Sequence, residues 1–424
     1  MLFLRVQFPI DLPFFLRQNR KREFLWAMKK GSVQELQFAK RMEHFGEGVF
    51  SELLALKQKK EAQGMQVIDL SVGTPNIPPV EAIRRVLAES ALDPTQYIYA
   101  ISDTEALQQA VAQWYSRRYQ VKLDPNTQVC SLLGSQEGLT HIALSIADPG
   151  DTVLVPDPCY PAFSCGPMLA GAKLCWMPLK KENNYLIDFD AIPEADAKAA
   201  KLMVVSYPNN PTTALAPDWF YEKLIAFAKK YDIIVLHDNA YSELVFDGVH
   251  CGSFLRFPGA ADVGVEFNSL SKTYGMAGAR VGFCVGNAQI VKMLKTLKSN
   301  LDYGMFLPVQ KAAAAAITGD QSCVERTRAA YEKRRDVLCS AFEALGWHFA
   351  KPAATMFVWA EIPAKYGEDD TRFALELADK AGVLVTPGSA FGPSGKGHVR
   401  MALVQDEEAL RQAADRMRKT DIFA

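Results

Sequence analysis

The chain has 424 residues, 49% apolar and 22% charged, with a formal net charge of −1 at pH 7. That length exceeds one small core and suits a large domain with a smaller one attached. The near-zero charge gives no electrostatic case for nucleic acid or an anionic membrane, and no uninterrupted apolar run approaches the roughly 20 residues a spanning helix needs.

In chain order, Met1–Leu16 is rich in Phe and Leu but carries Asp11 and two prolines, and Arg17–Lys30 is strongly basic. No basic stretch precedes the apolar one, so residues 1–31 read as an upstream extension rather than a secretory signal, with Met28 as an alternative start. Residues 32–75 form a segment expected to join the smaller domain. It has a helical pattern over 32–63, with Leu53, Leu54 and Leu56, and then a strand from Val67 that ends in the turn Gly73-Thr74-Pro75.

Residues 76–300 are the expected large domain. Amphipathic helices over 80–90 and 105–119 flank the tyrosine-rich stretch Gln96-Tyr97-Ile98-Tyr99-Ala100. From Val129 onward short apolar runs alternate with helical ones. Strands are expected at 129–133, 152–156, 173–177, 202–207, 233–238, 263–267 and 281–285. Strands separated by helices make an α/β domain with a mostly parallel sheet covered on both faces. Residues 301–424 change character: a long charged helix over 322–345, strands at 355–361, 383–387 and 398–403, and a closing helix predict a smaller α+β domain.

The eight cysteines are scattered, with no CxxC pair and no metal-type spacing to histidine. Reduced buried thiols, a cytoplasmic setting and no metal site are the expectation.

Ligands in open α/β sheets bind beyond the carboxyl ends of the strands. There the sequence places Ser135 and Gln136 at a helix start, then Tyr160, then Asn210, then Asp238 and Tyr241, then Ser269, Ser271 and Lys272. Each has an ordinary reading: Ser135 as an N-cap, Asn210-Pro211 as a turn, Asp238 as a turn cap, Tyr160 as packing. Lys272, in the loop Ser269–Arg280, is open between phosphate ligand, Schiff-base former and solvated charge. Together the groups offer an anion cradle completed by Arg280, a stacking plate, a carboxylate, hydrogen-bond donors and an amine. Those are the fittings pyridoxal phosphate needs. Gly392-Pro393-Ser394-Gly395-Lys396-Gly397 faintly resembles a phosphate loop, but Ala390 and Gly397 stand where glycine and Ser/Thr are required. There is no GxGxxG or GxSxG motif either.

Ser269-Leu270-Ser271-Lys272…Arg280, Tyr207-Pro208-Asn209-Asn210-Pro211-Thr212 and His237-Asp238-Asn239-Ala240-Tyr241 resemble the motifs of class I/II aminotransferases of fold type I. The resemblance extends from about Glu35 to the C-terminus. It is closest to bacterial alanine (glutamate–pyruvate) and LL-diaminopimelate aminotransferases, through Lys298–Gly304, Lys333–Asp336 and Pro352–Trp359.

The resemblance implies that Lys272 bonds covalently to pyridoxal 5'-phosphate and then serves as general base. Asp238 would face the ring nitrogen, Asn210 and Tyr241 the ring oxygen, and Tyr160 the ring itself. Ser135, Gln136, Ser269 and Arg280 would hold the phosphate. Arg400 would clamp the substrate α-carboxylate, with Gly73 approaching through its backbone. Tyr97, or alternatively Tyr99, would reach the partner's phosphate across a homodimer with shared active sites. Ala279 and Thr213 depart from the family, where a large aromatic and a glycine are frequent. A lysine of pKa ~10.4 is protonated near neutrality, so Lys272 needs burial and a nearby cation such as Arg280 to react as an amine.

The implied activity is transfer of an α-amino group between an L-amino acid and a 2-oxo acid, with alanine/glutamate as the first expectation. LL-diaminopimelate and aspartate are the alternatives, and a β C–S lyase is the more distant one.

Overall fold

The computed structural model describes residues 36–45 and 49–423, so the expectations for residues 1–31 lie outside it. Residues 36–45 carry one short 3-10 turn, Lys40–His44.

From Val49 a helix, Val49–Ala62, leads into β1 (Ile68–Asp69). The large lobe is built on one seven-stranded sheet. Its strands are β2 (Val129–Leu133), β3 (Thr152–Asp157), β4 (Lys173–Pro178), β5 (Ala200–Ser206), β6 (Ile234–Asp238), β7 (Gly264–Ser269) and β8 (Val281–Gly286). They lie in the order β2-β8-β7-β6-β5-β3-β4. β8 runs antiparallel to both its neighbours, while every other pair is parallel. This is the α/β arrangement expected from the alternation, and it is the fold type I layout that the resemblance implies.

The strands are apolar almost throughout because both faces are buried. Leu202, Val204, Leu236, Val265 and Phe267 join a core with Leu139, Ile142, Val291 and Leu294 from the helices Ser135–Ile146 and Ala288–Leu301. Their neighbours Met203, Val205, Val235, Val281 and Phe283 point the other way. They meet Val111, Trp114, Phe220 and Leu224 from the helices Glu105–Tyr119 and Asp218–Tyr231. Since six strands share one direction, their polar C-terminal residues emerge on one lip.

The small lobe holds β9 (Phe357–Glu361), β10 (Val383–Leu384), β11 (Thr386–Pro387) and β12 (His398–Ala402). β11, β12 and β9 form an antiparallel sheet, while β10 pairs in parallel with β1. The single strand expected at 383–387 is therefore two, because its halves pair with different partners on either side of Val385. Ile68 and Leu70 pack in the small-lobe core with Leu338, Phe342, Val383 and Met401, and Leu53 packs on Ala378 and Leu384.

The two cores hand over along the helix Ser322–Glu343 rather than at the expected step near 300/301. Ala312, Ala313, Ala316, Ile317 and Val324 belong to the large-lobe core, while Tyr331, Leu338 and Phe342 further along the chain pack in the small-lobe core.

Candidate active site

A cavity of about 510 Å³ opens on the lip of the sheet. Its wall includes Gly73, Ser135, Gln136, Tyr160, Asn210, Asp238, Tyr241, Ser269, Lys272, Arg280 and Arg400. Those are the expected site residues of this chain, drawn together from five strand ends, the segment after β1 and β12. Tyr97 and Tyr99 are not among them. They stand on the surface, 65% and 81% exposed, where the Tyr97 hydroxyl donates to Ala91 O at 2.9 Å.

The anion cradle rests on Gly134, which caps the helix Ser135–Ile146 with φ 80° and offers it no side-chain cap. The first N–H groups of that helix point into the lip, where an anion suits both their unpaired hydrogens and the helix dipole. Arg280 lies against this turn: a Cβ on Gly134 would sit 2.3 Å from Arg280 Nη2. Arg280 itself adopts φ 54°, a left-handed conformation that costs a non-glycine residue about 1 kcal/mol or more. Its Nη1 donates to Ala277 O at 3.1 Å.

Lys272 lies in a short helix, Leu270–Thr273, where a loop was expected. The turn closes because the Ser269 hydroxyl accepts the Ser271 N–H at 3.2 Å. Lys272 Nζ donates to Gly73 O at 3.0 Å and stands 6.0 Å from the centre of the Tyr241 ring. Burial, then the charges of Arg400 and Arg280, push its ammonium down to about 8, against the pull of Asp238. Burial and Arg280 are the two causes the sequence reading named, and Arg400 joins them.

Asp238 ends β6, and its Oδ1 accepts the Ala240 N–H at 3.2 Å. Burial pushes its carboxyl up to about 6, while the His237 charge and that N–H oppose the rise. Behind it His237 Nδ1 lies 3.1 Å from buried Glu266, which also accepts from Tyr115 Oη at 2.9 Å and Phe254 N at 2.8 Å. Burial also raises the Tyr241 and Tyr160 phenols, and Tyr160 Oη donates to Gln136 Oε1 at 3.0 Å.

Arg400 is 4% exposed. Its Nη1 donates to Asn210 Oδ1 at 2.9 Å and its Nη2 to Ser71 O at 3.1 Å, leaving Nε buried without a partner. The guanidinium carbon is 4.0 Å from the centre of the Phe357 ring and 4.5 Å from that of Phe391. Cation–π contact holds the group flat, and the orphaned Nε–H calls for an acceptor.

Phe357, Phe391 and Ser71 were missed as site residues. Aromatics such as Phe357 in β9 and Phe391 in the 3-10 turn Gly388–Phe391 read as core, and a backbone carbonyl has no sequence signature. Ala279 and Thr213 lie outside the cavity wall; Thr213 has φ 64°, which explains why glycine suits that position.

An uncapped helix start beside an arginine, a buried carboxylate, a flanking phenol and an amine of depressed pKa fit a phosphorylated pyridine aldehyde. Comparison with known proteins agrees. Residues 65–417 match the family described as aminotransferase class I and II. The chain is 46% identical over 372 residues to the LL-diaminopimelate aminotransferase of Syntrophobacter fumaroxidans, covering 88% of this chain and 95% of the relative. It is 43% identical over 386 residues to that of Moorella thermoacetica, covering 91% and 98%. The solved structure of apo-BacF from Bacillus subtilis superposes with a TM-score of 0.88 at 38% identity, covering 92% of this chain and 100% of BacF.

The chain belongs to the class I and II aminotransferases. It is a transaminase acting on amino acids and 2-oxo acids, and its cofactor is pyridoxal phosphate.

Proposed function

We propose that this transaminase takes LL-diaminopimelate as its amino donor. The carrying observation is that relatives of that name are 46% and 43% identical over nearly their whole length. This reverses the order of the sequence reading, which put alanine/glutamate first and LL-diaminopimelate among its alternatives.

Bound pyridoxal phosphate supplies an electron sink for the pair left behind when an α-proton departs. Ser135, Gln136, Ser269, Arg280 and the N–H groups of the helix start would hold its phosphate. Tyr160 would flank its ring, Asp238 would serve the ring nitrogen, and Asn210 and Tyr241 the ring oxygen. Lys272 would carry the covalent link, and its depressed pKa suits both that bond and later work as the base at the substrate Cα. Arg400, with Nε free, binds the substrate α-carboxylate, and Gly73 lies beside it. Asn210 thereby touches both ends of the cavity, since it already accepts from Arg400.

The enzyme acts as a cytoplasmic homodimer. Leu92, Tyr97, Ile98, Tyr99, Ile101 and Tyr303 are exposed, with the Tyr97 ring 5.2 Å from that of Phe306 and the Tyr99 ring 5.7 Å from that of Tyr303. Exposed apolar side chains of this kind suit a protein interface, and from there Tyr97 would reach the partner's phosphate. Among the described residues no helix is long and apolar enough to cross a membrane, and all eight cysteines are free.

Single-turnover spectroscopy tests the donor. LL-diaminopimelate, alanine, glutamate and aspartate are each mixed with the loaded enzyme while its visible absorbance is followed. LL-diaminopimelate is expected to be fastest; faster conversion by alanine or aspartate would return the assignment to those donors. Release of ammonia and pyruvate from cystathionine, without dependence on a 2-oxo acid, would instead mark a lyase.

A further inference from the structure

The glycine-rich stretch that imitates a phosphate loop has another use. Gly392-Pro393-Ser394 of the small lobe is docked on Asp157, the last residue of β3 in the large lobe. Asp157 is 4% exposed. Its two carboxylate oxygens face the Ser394 N–H at 3.3 and 3.2 Å, and Oδ2 accepts the Ser394 hydroxyl at 2.7 Å. Gly392 passes so close, with φ 133°, that a Cβ there would stand 2.0 Å from Asp157 Oδ1. Two residues on, the Cys159 N–H donates to Phe391 O at 2.8 Å. Burial raises the Asp157 carboxyl and the Ser394 hydroxyl and N–H pull it back, so these donors are what compensates the buried carboxylate.

What this contact fixes is Phe391. Its carbonyl is tied to the large lobe, and its ring lies 4.5 Å from the Arg400 guanidinium. The chain then passes from Cys159 to Tyr160 in the cavity wall. The contact thus sets the cover of the arginine against the strand end that presents the tyrosine.

We infer that Asp157 is a positioning residue: through Ser394 and Gly392 it holds Phe391 over Arg400, and so sets the affinity of the site for the substrate α-carboxylate. The inference rests on the reading of Arg400 as the carboxylate clamp.

The test compares Asp157→Ala, Asp157→Asn, Ser394→Ala and Arg400→Ala in the loaded enzyme. Each is measured for KM, kcat, cofactor affinity by absorbance titration, and the inhibition constant of acetate as a bare carboxylate. Asp157→Ala should raise KM and the acetate constant about tenfold, with kcat and cofactor affinity within about twofold of wild type. Ser394→Ala, which keeps the N–H donor and spares the fold if Asp157→Ala does not, should raise both about threefold. Asp157→Asn, which keeps an acceptor, should recover most of the loss. In an Arg400→Ala background the Asp157→Ala change should add little.

If Arg400→Ala leaves KM unchanged, the clamp reading itself falls. If Arg400→Ala raises KM while Asp157→Ala and Ser394→Ala do not, the clamp stands and the positioning role is overturned. Equal losses of cofactor affinity and substrate affinity would reduce Asp157 to a structural contact and overturn it as well.

Discussion

The two ends of the cavity are built differently. The end that suits the cofactor comes from one sheet: Ser135, Tyr160 and Asn210 follow its strands, and Asp238 and Ser269 end two of them. The end that suits the carboxylate is assembled from separate pieces, namely Ser71 and Gly73 after β1, Phe357 in β9, Phe391 before β12 and Arg400 within it. The first end is fixed once the large lobe folds. The second exists only when the small lobe and the segment around Ser71 are docked. Defects at the first should therefore show in cofactor affinity and chemistry, and defects at the second in substrate affinity.

Lys272 belongs to both ends, since Arg280 and Arg400 both depress its pKa. Lys272→Ala should leave a folded chain whose transamination falls by about 10⁴-fold, the upper range for losing a general acid–base group. Substantial turnover in single-turnover assays would remove the lysine from the mechanism. Asp238→Ala should cut kcat by about 10²- to 10³-fold and leave KM nearly unchanged, as expected for a sheet-end residue. A dominant KM effect would blur the distinction between the ends.

Arg400→Ala should lower kcat/KM by about 10²-fold, mostly through KM, because a carboxylate loses a charge-assisted, bidentate partner. An unchanged KM would point to another clamp. Gly134→Ala should do the opposite at a smaller scale. The added methyl drives Arg280 from the cradle, so cofactor affinity should drop about tenfold while KM for the amino acid stays put.

This difference in construction also explains what the sequence disclosed. The sheet end was legible because polar residues directly after apolar strands have one place to go in a parallel α/β sheet, and Lys272, Asp238 and Asn210 all obey that rule. Arg400 was placed by resemblance rather than by pattern, and its aromatic companions, Phe357 in a strand and Phe391 in a short turn, look like ordinary core residues. The Asp157–Ser394 contact joins residues 237 positions apart, a separation at which no local spacing speaks. The short helix at Lys272 was hidden for another reason: four residues closed by one serine cap are below the length that periodicity detects.

The smallest expected effect concerns stability rather than rate, and it bears on the end of the cavity around the lysine. In the cofactor-free chain Lys272 titrates near 8, below the ~10.4 of an unfolded lysine. Between those values the unfolded chain binds a proton that the folded chain does not, so folding stability rises as pH climbs from 8 toward 10.4. Below 8 the fold bears the whole cost of the ammonium, on the order of 3 kcal/mol from the size of the shift. Asp238, raised to about 6, imposes a cost of the same sign above pH 6, because its buried carboxylate is disfavoured there. Lys272→Met keeps the bulk and removes the charge. The cofactor-free variant should melt a few degrees above the cofactor-free parent at pH 7, with the gap closing by pH 10. Scanning calorimetry of both proteins across that range measures it. A gap that stays constant with pH would mean the ammonium carries no burial cost, and would take the depressed pKa out of the account of why this lysine reacts.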